Sequence, residues 1–179
     1  AIITKNTNNK SRGFFDKIDK WAKEEGSSGL AYFTFEKENN KIIGKGPIGK
    51  FFSSEACQEI IKSSKAEIGD SIFFACGQKK DVEKLLSLAR DKIAKELEII
   101  DENAFAFCWI VDYPMYEIDD KSGKIKFSHN PFSMPQGDIS KLNFDNPLDI
   151  KAYQYDIVCN GIELSSGAIR NHIPSLMYK

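Results

Sequence analysis

Two rhythms of apolar residues divide this 179-residue sequence, and together they restrict it to folds that mix helices with antiparallel strands. The helical rhythm is clearest after Asp81, where Val82, Leu85, Leu86, Ala89, Ile93 and Leu97 form one stripe and Asp81 stands where a cap belongs. "SRGFFDKIDKWAKEEG" repeats it at positions 14, 18, 21 and 22, with Ser11 as a candidate cap and Gly26 as a stop. "SSEACQEIIKSS" supplies a further helix. Strands lie between: "LAYFTFE", then "KII" after an "ENNK" turn, then "SIFFAC", whose unbroken apolar character implies burial on both faces. This interleaving predicts a small domain over residues 1–100 with helices on one face of a sheet. Beyond residue 100 the helical rhythm stops. "NAFAFCWIVDYPMYEI" and "KIKFSH" predict two strands around a "DDKSG" hairpin, and "YQYDIVCNGIEL" predicts a third, so residues 101–179 form an antiparallel sheet. The fold class is therefore α+β.

Composition narrows the functional classes. A hydrophobic content of 41% suffices for a core without metals or cross-links, and a formal net charge of −1 gives no global basic field for nucleic acid. Lys and Arg are in slight excess in the first hundred residues, Asp and Glu in the rest. The four cysteines form no CxxC pair. Cys76 and Cys108 sit in apolar runs, where a free thiol acts as a small buried hydrophobe, and this usage suits a reducing cytoplasm. No apolar run approaches the roughly 20 residues that span a bilayer, so no membrane association is expected. The opening "AIITKNTNNK" has no methionine and no signal-peptide pattern, as in a piece of a longer protein.

The motif "GKGPIG" at Gly44–Gly49 formally matches a dinucleotide-binding loop. A weak strand precedes it and Pro47 stiffens it, so a surface loop is expected instead. The informative stretch is "YDIVCNGIELSSGAIRNH", where Asp156, Glu163 and Arg170 follow one another at intervals of seven. Strict alternation along one strand puts the two acids on opposite faces. A bulge at Asn160-Gly161 returns them to one face, where two carboxylates suit a magnesium ion on nucleotide phosphates. "SSGAIRNH" is expected to turn from strand into helix, capped by Ser165 or Ser166, with Arg170 in the first turn. An arginine there opposes the helix dipole unless an anionic ligand lies over it. His129, at a strand end before Asn130-Pro131, is a further candidate; His172 has no evident partner.

"FCWIVDYPMYE", "HNPFSMP" and "YDIVCNGIELSSGAIRNH", in that order and spacing, closely resemble the bacterial-type class II aspartyl-tRNA synthetases. The preceding residues, with "GLAYF", "KFF" and "GDSIFFACG", resemble the GAD insertion domain of those enzymes. The resemblance implies that residues 1–100 are a GAD-like insertion domain and residues 101–179 part of a class II catalytic domain. It further implies L-aspartate, ATP and tRNA (for Asp alone or for Asp and Asn) as partners, Mg2+ as cofactor, a cytoplasmic location and a homodimeric parent. Carried over by position, Glu163 contacts ATP and shares a magnesium ion with Asp156. Arg170 binds the substrate's side-chain carboxylate, and His129 helps to hold the aspartate.

The sequence departs from the family pattern in three places. His129-Asn130 replaces two consecutive histidines, and Ser165-Ser166-Gly167 replaces three glycines. Arg12, Arg90 and Arg170 are the only arginines, so the catalytic-like half has no second arginine for the ATP phosphates. A fragment that is inactive alone is the resulting expectation. A stand-alone tRNA or protein interaction module, of the kind found in tRNA-dependent amidotransferases, is the alternative, and a compact ligase without tRNA is a third reading.

Overall fold

The structure is a computed structural model and describes residues 1–178. It divides into two compact units, one of residues 1–101 and one from residue 102 onward. The helices and antiparallel sheets make the fold α+β.

In the first unit, strands β1 (Ile2–Thr4), β2 (Ala31–Glu38), β3 (Lys41–Lys45) and β4 (Ser71–Phe74) form one antiparallel sheet in the order β1-β4-β2-β3. The β2–β3 connection is a two-residue turn. Asn39 and Asn40 both have positive φ, 46° and 63°, a conformation that asparagine tolerates better than most residues. Helices α1 (Arg12–Glu24), α2 (Ser54–Ser64) and α3 (Lys79–Glu96) pack on this sheet. Side chains alternate across a strand, so the paired Tyr32 and Phe73 point to one face and the paired Phe33 and Ile72 to the other. Tyr32 and Phe73 meet Phe15 and Ile18 of α1 and Leu85, Ala89 and Ile93 of α3, with the Phe15 and Tyr32 rings stacked at 4.2 Å. Phe33, Phe35 and Ile72 meet Cys57, Ile60 and Ile61 of α2.

Helices therefore cover both faces of the sheet, not one. The reason is the amphipathic α2, whose own apolar stripe needs a partner and finds it on the Phe33 face. The N-terminal lead, with no strand expected in it, contributes edge strand β1. The third helix begins earlier than its periodicity suggested, with Gln78 at the cap position and Asp81 inside the first turn.

"GKGPIG" is more constrained than a surface loop. A Cβ built on buried Gly49 would lie 2.0 Å from the Gly44 carbonyl oxygen, so two backbone segments touch where no side chain fits. A three-residue 3-10 turn starts at Gly49, and the helix after that is capped by Ser53, whose Oγ accepts from the Ala56 N–H at 3.2 Å. This is a packing device. Gly49→Ala is expected to lower stability by about 2 kcal/mol, as overpacked sites do, and urea denaturation of the chain reads it directly.

The second unit contains β5 (Phe107–Ile110), β6 (Tyr116–Ile118), β7 (Ile125–Phe127), β8 (Gln154–Cys159), β9 (Ile162–Ala168) and the short α4 (Pro174–Met177). β5, β8 and β9 make one antiparallel sheet with β8 in the middle, and β6 pairs with β7 as a separate hairpin. The expected long first strand is thus two strands in different sheets, parted at Asp112, whose φ of 60° turns the chain. A small core of Met115, Ile150 and Ala152 lies under the long connection after β7.

Cys76 and Cys108 are exposed, against expectation; Cys57 and Cys159 are the buried thiols. β5 is an edge strand, and Phe107 and Trp109 on it are 62% and 60% exposed. No helix among the described residues is long and apolar enough to cross a membrane.

Candidate functional site

The strand expected over residues 153–164 is a hairpin. Asn160 and Gly161 have φ of 50° and 82° and form its two-residue turn, joining β8 to β9. They are not a bulge. The bulge lies further along the ladder: Ile157 pairs with Ser165 but Val158 pairs with Glu163, which leaves Leu164 as the extra residue on β9. That displacement puts Glu163 on the same face as Ser166, and Ser166 pairs with Asp156. Both carboxylates therefore share one face of the sheet by way of a bulge, though neither its position nor the topology is the expected one.

Ser165, Ser166 and Gly167 belong to β9 and cap no helix. Arg170 lies just past the strand in a bridge to Ser133, so the helix-dipole argument for it fails. The small run is strand because its backbone groups are used in the ladder to β8, where Gly167 faces Tyr155. A Cβ at Gly167 would lie 2.6 Å from that ring. Gly167→Ala is expected to cost about 1 kcal/mol, because the Tyr155 ring has to shift, and thermal melting would detect it.

Alternation along β8 and β9 then sets the face. Gln154 and Asp156 of β8, and Glu163, Ser166 and Ala168 of β9, line an open cleft of about 270 Å3 together with Arg170. The opposite wall comes from Tyr113 and from the segment after β7, which carries His129, Asn130 and Phe132. Backbone hydrogen bonds zip that segment to the sheet: Met134 N–H donates to Ile169 O at 2.8 Å, and Asn171 N–H to Phe132 O at 2.8 Å. The four residues singled out in the sequence, Asp156, Glu163, Arg170 and His129, thus line one cleft. His172 is exposed, its Nδ1 3.4 Å from the Arg170 carbonyl, and does not line it.

The Arg170 guanidinium lies 4.3 Å over the Phe132 ring and has no carboxylate partner among the described residues. A cation held over an aromatic face keeps the donors at its edge available for a planar anion. Asp156 is half-buried and accepts a hydrogen bond from the Tyr113 hydroxyl. That bond to a carboxylate, with desolvation and the nearby Glu163 charge, pushes the Tyr113 hydroxyl up to about 12 and keeps it protonated at neutral pH. The Tyr113 ring meets His129 edge-on at 4.9 Å.

Below these groups, Gln154 Nε2 donates to Ser133 Oγ at 2.8 Å, and Ser133 Oγ donates to Asn130 Oδ1 at 2.7 Å. Ser133 is fully buried, so this chain ties the histidine-bearing segment to β8.

Tyr113, Gln154 and Phe132 were missed by sequence reasoning. For Gln154 a signal existed, since it stands two residues before Asp156 and shares its face. For Tyr113 and Phe132 none did, because their positions depend on loop geometry. No cluster of three metal-ligating side chains occurs among the described residues, so a cation here would rest on Asp156 and Glu163 with its remaining positions filled by ligand or water oxygens. Such a hard, carboxylate-only set fits Mg2+, which keeps several waters and binds one or two protein carboxylates.

Residues 13–179 match the family model described as tRNA synthetases class II (D, K and N). The chain is 73% identical over its full length to the aspartate--tRNA(Asp/Asn) ligase of Pelagibacter ubique (strain HTCC1062) and covers 30% of that protein. It is 50% identical over its full length to the ligase of that name from Gluconobacter oxydans (strain 621H), and 49% to that of Acidiphilium cryptum (strain JF-5), covering 29% of each. The chain therefore spans about 30% of the length of such relatives. With the family model running through both units, the chain belongs to the class II tRNA synthetases of the D, K and N group.

Proposed function

We propose that this chain is the portion of an aspartate--tRNA(Asp/Asn) ligase that holds L-aspartate and part of the ATP, with residues 1–100 as a GAD-like insertion domain and residues 101–179 as part of the catalytic sheet. In the proposed reaction the α-carboxylate of aspartate attacks the α-phosphate of ATP. Aspartyl-adenylate forms and pyrophosphate leaves, after which the aspartyl group passes to the 3′ end of tRNA. A step of this kind depends on positioning and charge neutralisation. Arg170 offers a planar fork to the side-chain carboxylate, and His129 flanks the amino acid from the opposite wall. Asp156 and Glu163 face the nucleotide, and Mg2+ bound to them would offset charge on its phosphates.

The observation that carries this reading is the convergence of all four residues on one cleft. Arg170 is the only arginine of the second unit, so the proposal includes that the chain is silent alone and works within a longer, homodimeric, cytoplasmic ligase. The amidotransferase-type module has no comparable support, since the match extends through both units.

The test is aspartate-dependent exchange of labelled pyrophosphate into ATP. It uses the isolated chain and a full-length ligase, that of Pelagibacter ubique carrying this chain in place of its matching segment. The full-length protein is expected to exchange, the isolated chain to be silent, and Glu163→Gln to lower exchange about 100-fold, the usual scale for one group that stabilises developing charge. Exchange by the isolated chain would show the proposal of a dependent fragment to be wrong.

A further inference from the structure

We infer that Tyr113 is a positioning residue for Asp156, fixing its carboxylate so that one oxygen is left for a divalent cation. This rests on the reading of Asp156 and Glu163 as cation ligands. Tyr113 is itself held firmly. Asp112 turns the chain with a φ of 60°, Pro114 follows and bridges to Lys151, and the Tyr113 carbonyl accepts the Ala152 N–H at 2.8 Å. The ring leans edge-on against His129 at 4.9 Å, and its hydroxyl reaches across the cleft to Asp156 Oδ2.

Tyr113 supplies the one hydrogen bond to the Asp156 side chain found among the described residues. A carboxylate on a strand otherwise rotates freely about its last bond. With Oδ2 engaged, that rotation stops and Oδ1 is the oxygen available for a cation. The cation would then be bound through one oxygen, the mode that suits small octahedral Mg2+ better than the two-oxygen mode common with Ca2+. The same ring touches the amino-acid wall at His129, so Tyr113 links the two halves of the cleft.

The experiment measures Mn2+ binding by the paramagnetic resonance signal of free Mn2+, in the presence of α,β-methylene-ATP. It uses the full-length Pelagibacter ubique ligase carrying this chain, with Tyr113→Phe and Asp156→Ala variants. Tyr113→Phe keeps the ring on His129 and removes only the hydroxyl. It is expected to weaken Mn2+ binding about 10-fold, the lower end for loss of a group that orients a metal ligand. Melting temperature is expected to stay unchanged, because the ring and its contact with His129 remain.

Unchanged or tighter Mn2+ binding in Tyr113→Phe, with clear loss in Asp156→Ala, overturns this inference and leaves the cation reading standing. A fall in Mn2+ binding and melting temperature together makes Tyr113 a general structural residue and also overturns it. Mn2+ binding that is indifferent to Asp156→Ala overturns the cation reading and this inference with it.

Discussion

In the full-length ligase, Arg170→Ala is expected to lower kcat/KM for aspartate in pyrophosphate exchange by between about 10² and 10³. Removing one member of a charge pair that is desolvated in the complex costs about 2–5 kcal/mol, and each 1.4 kcal/mol is about tenfold. The geometry supports a large effect, since no neighbouring carboxylate competes for the guanidinium, and Phe132 holds it at 4.3 Å without using its donors. Arg170→Lys is expected to recover little. An ammonium keeps the charge but loses the two parallel hydrogen bonds and the flat stacking surface. The sharper readout is selectivity. Wild-type protein should prefer aspartate to asparagine, whose side chain differs in having an amide in place of one oxygen, and Arg170→Ala should collapse that preference. A variant that loses activity equally on both amino acids would place Arg170 on the nucleotide instead.

The sequence made some of this architecture legible and hid the rest for identifiable reasons. The three long helices were readable because their apolar stripes repeat at helical spacing over three or more turns. The sidedness of the first sheet was misread although a clue was present: "SIFFAC" reads as buried on both faces, and such a strand needs layers on both sides. β4 is indeed an inner strand, with Phe73 under α1 and α3 and Ile72 under α2. Apolar runs also misled. "AFAFCWIV" looks like a core strand, yet its residues are exposed, because apolar content registers a need for cover and not its presence.

In the site, side-chain chemistry was more legible than backbone geometry. Asp156 and Glu163 share a face through a bulge, as their chemistry led one to expect, but Asn160-Gly161 serves as the hairpin turn that its dipeptide ordinarily signals. Arg170 suggested an anion at a helix start, whereas it follows a strand. Nothing local marks Tyr113; it stands out only when residues 113 and 156 meet in space.

Asp70→Ala is expected to destabilise the first unit by about 3 kcal/mol, the largest stability effect anticipated for a single substitution outside the apolar core. Asp70 is 1% exposed and works as a staple between two loops. One oxygen accepts the Asn6 N–H at 2.9 Å, and the other accepts the Glu67 N–H at 2.8 Å and the Lys5 ammonium at 2.9 Å. Lys5 is more than half exposed, so its ion pair contributes little by itself. The cost lies in the two part-buried backbone N–H groups left without acceptors, each at about 1–2 kcal/mol, the lower part of the range for an unsatisfied group. Asp70→Asn is expected to rescue little, because its NH2 would face a donor on one side whichever way the amide is turned. Burial alone would push the Asp70 carboxyl up, but the Lys5, Asn6 and Glu67 donors outweigh it and hold the group below its ordinary value. With the folded value below an unfolded one of about 3.9, the staple is fully effective above that pH and fades as pH falls through the folded value. Urea denaturation followed by tryptophan fluorescence suits the test, since Trp21 packs on the core of the first unit while Trp109 is 60% exposed. The gap between wild type and Asp70→Ala should be widest near neutral pH and shrink in acid. A gap that stays constant down to pH 2 would mean that the Asp70 side chain stabilises by shape rather than by its charge.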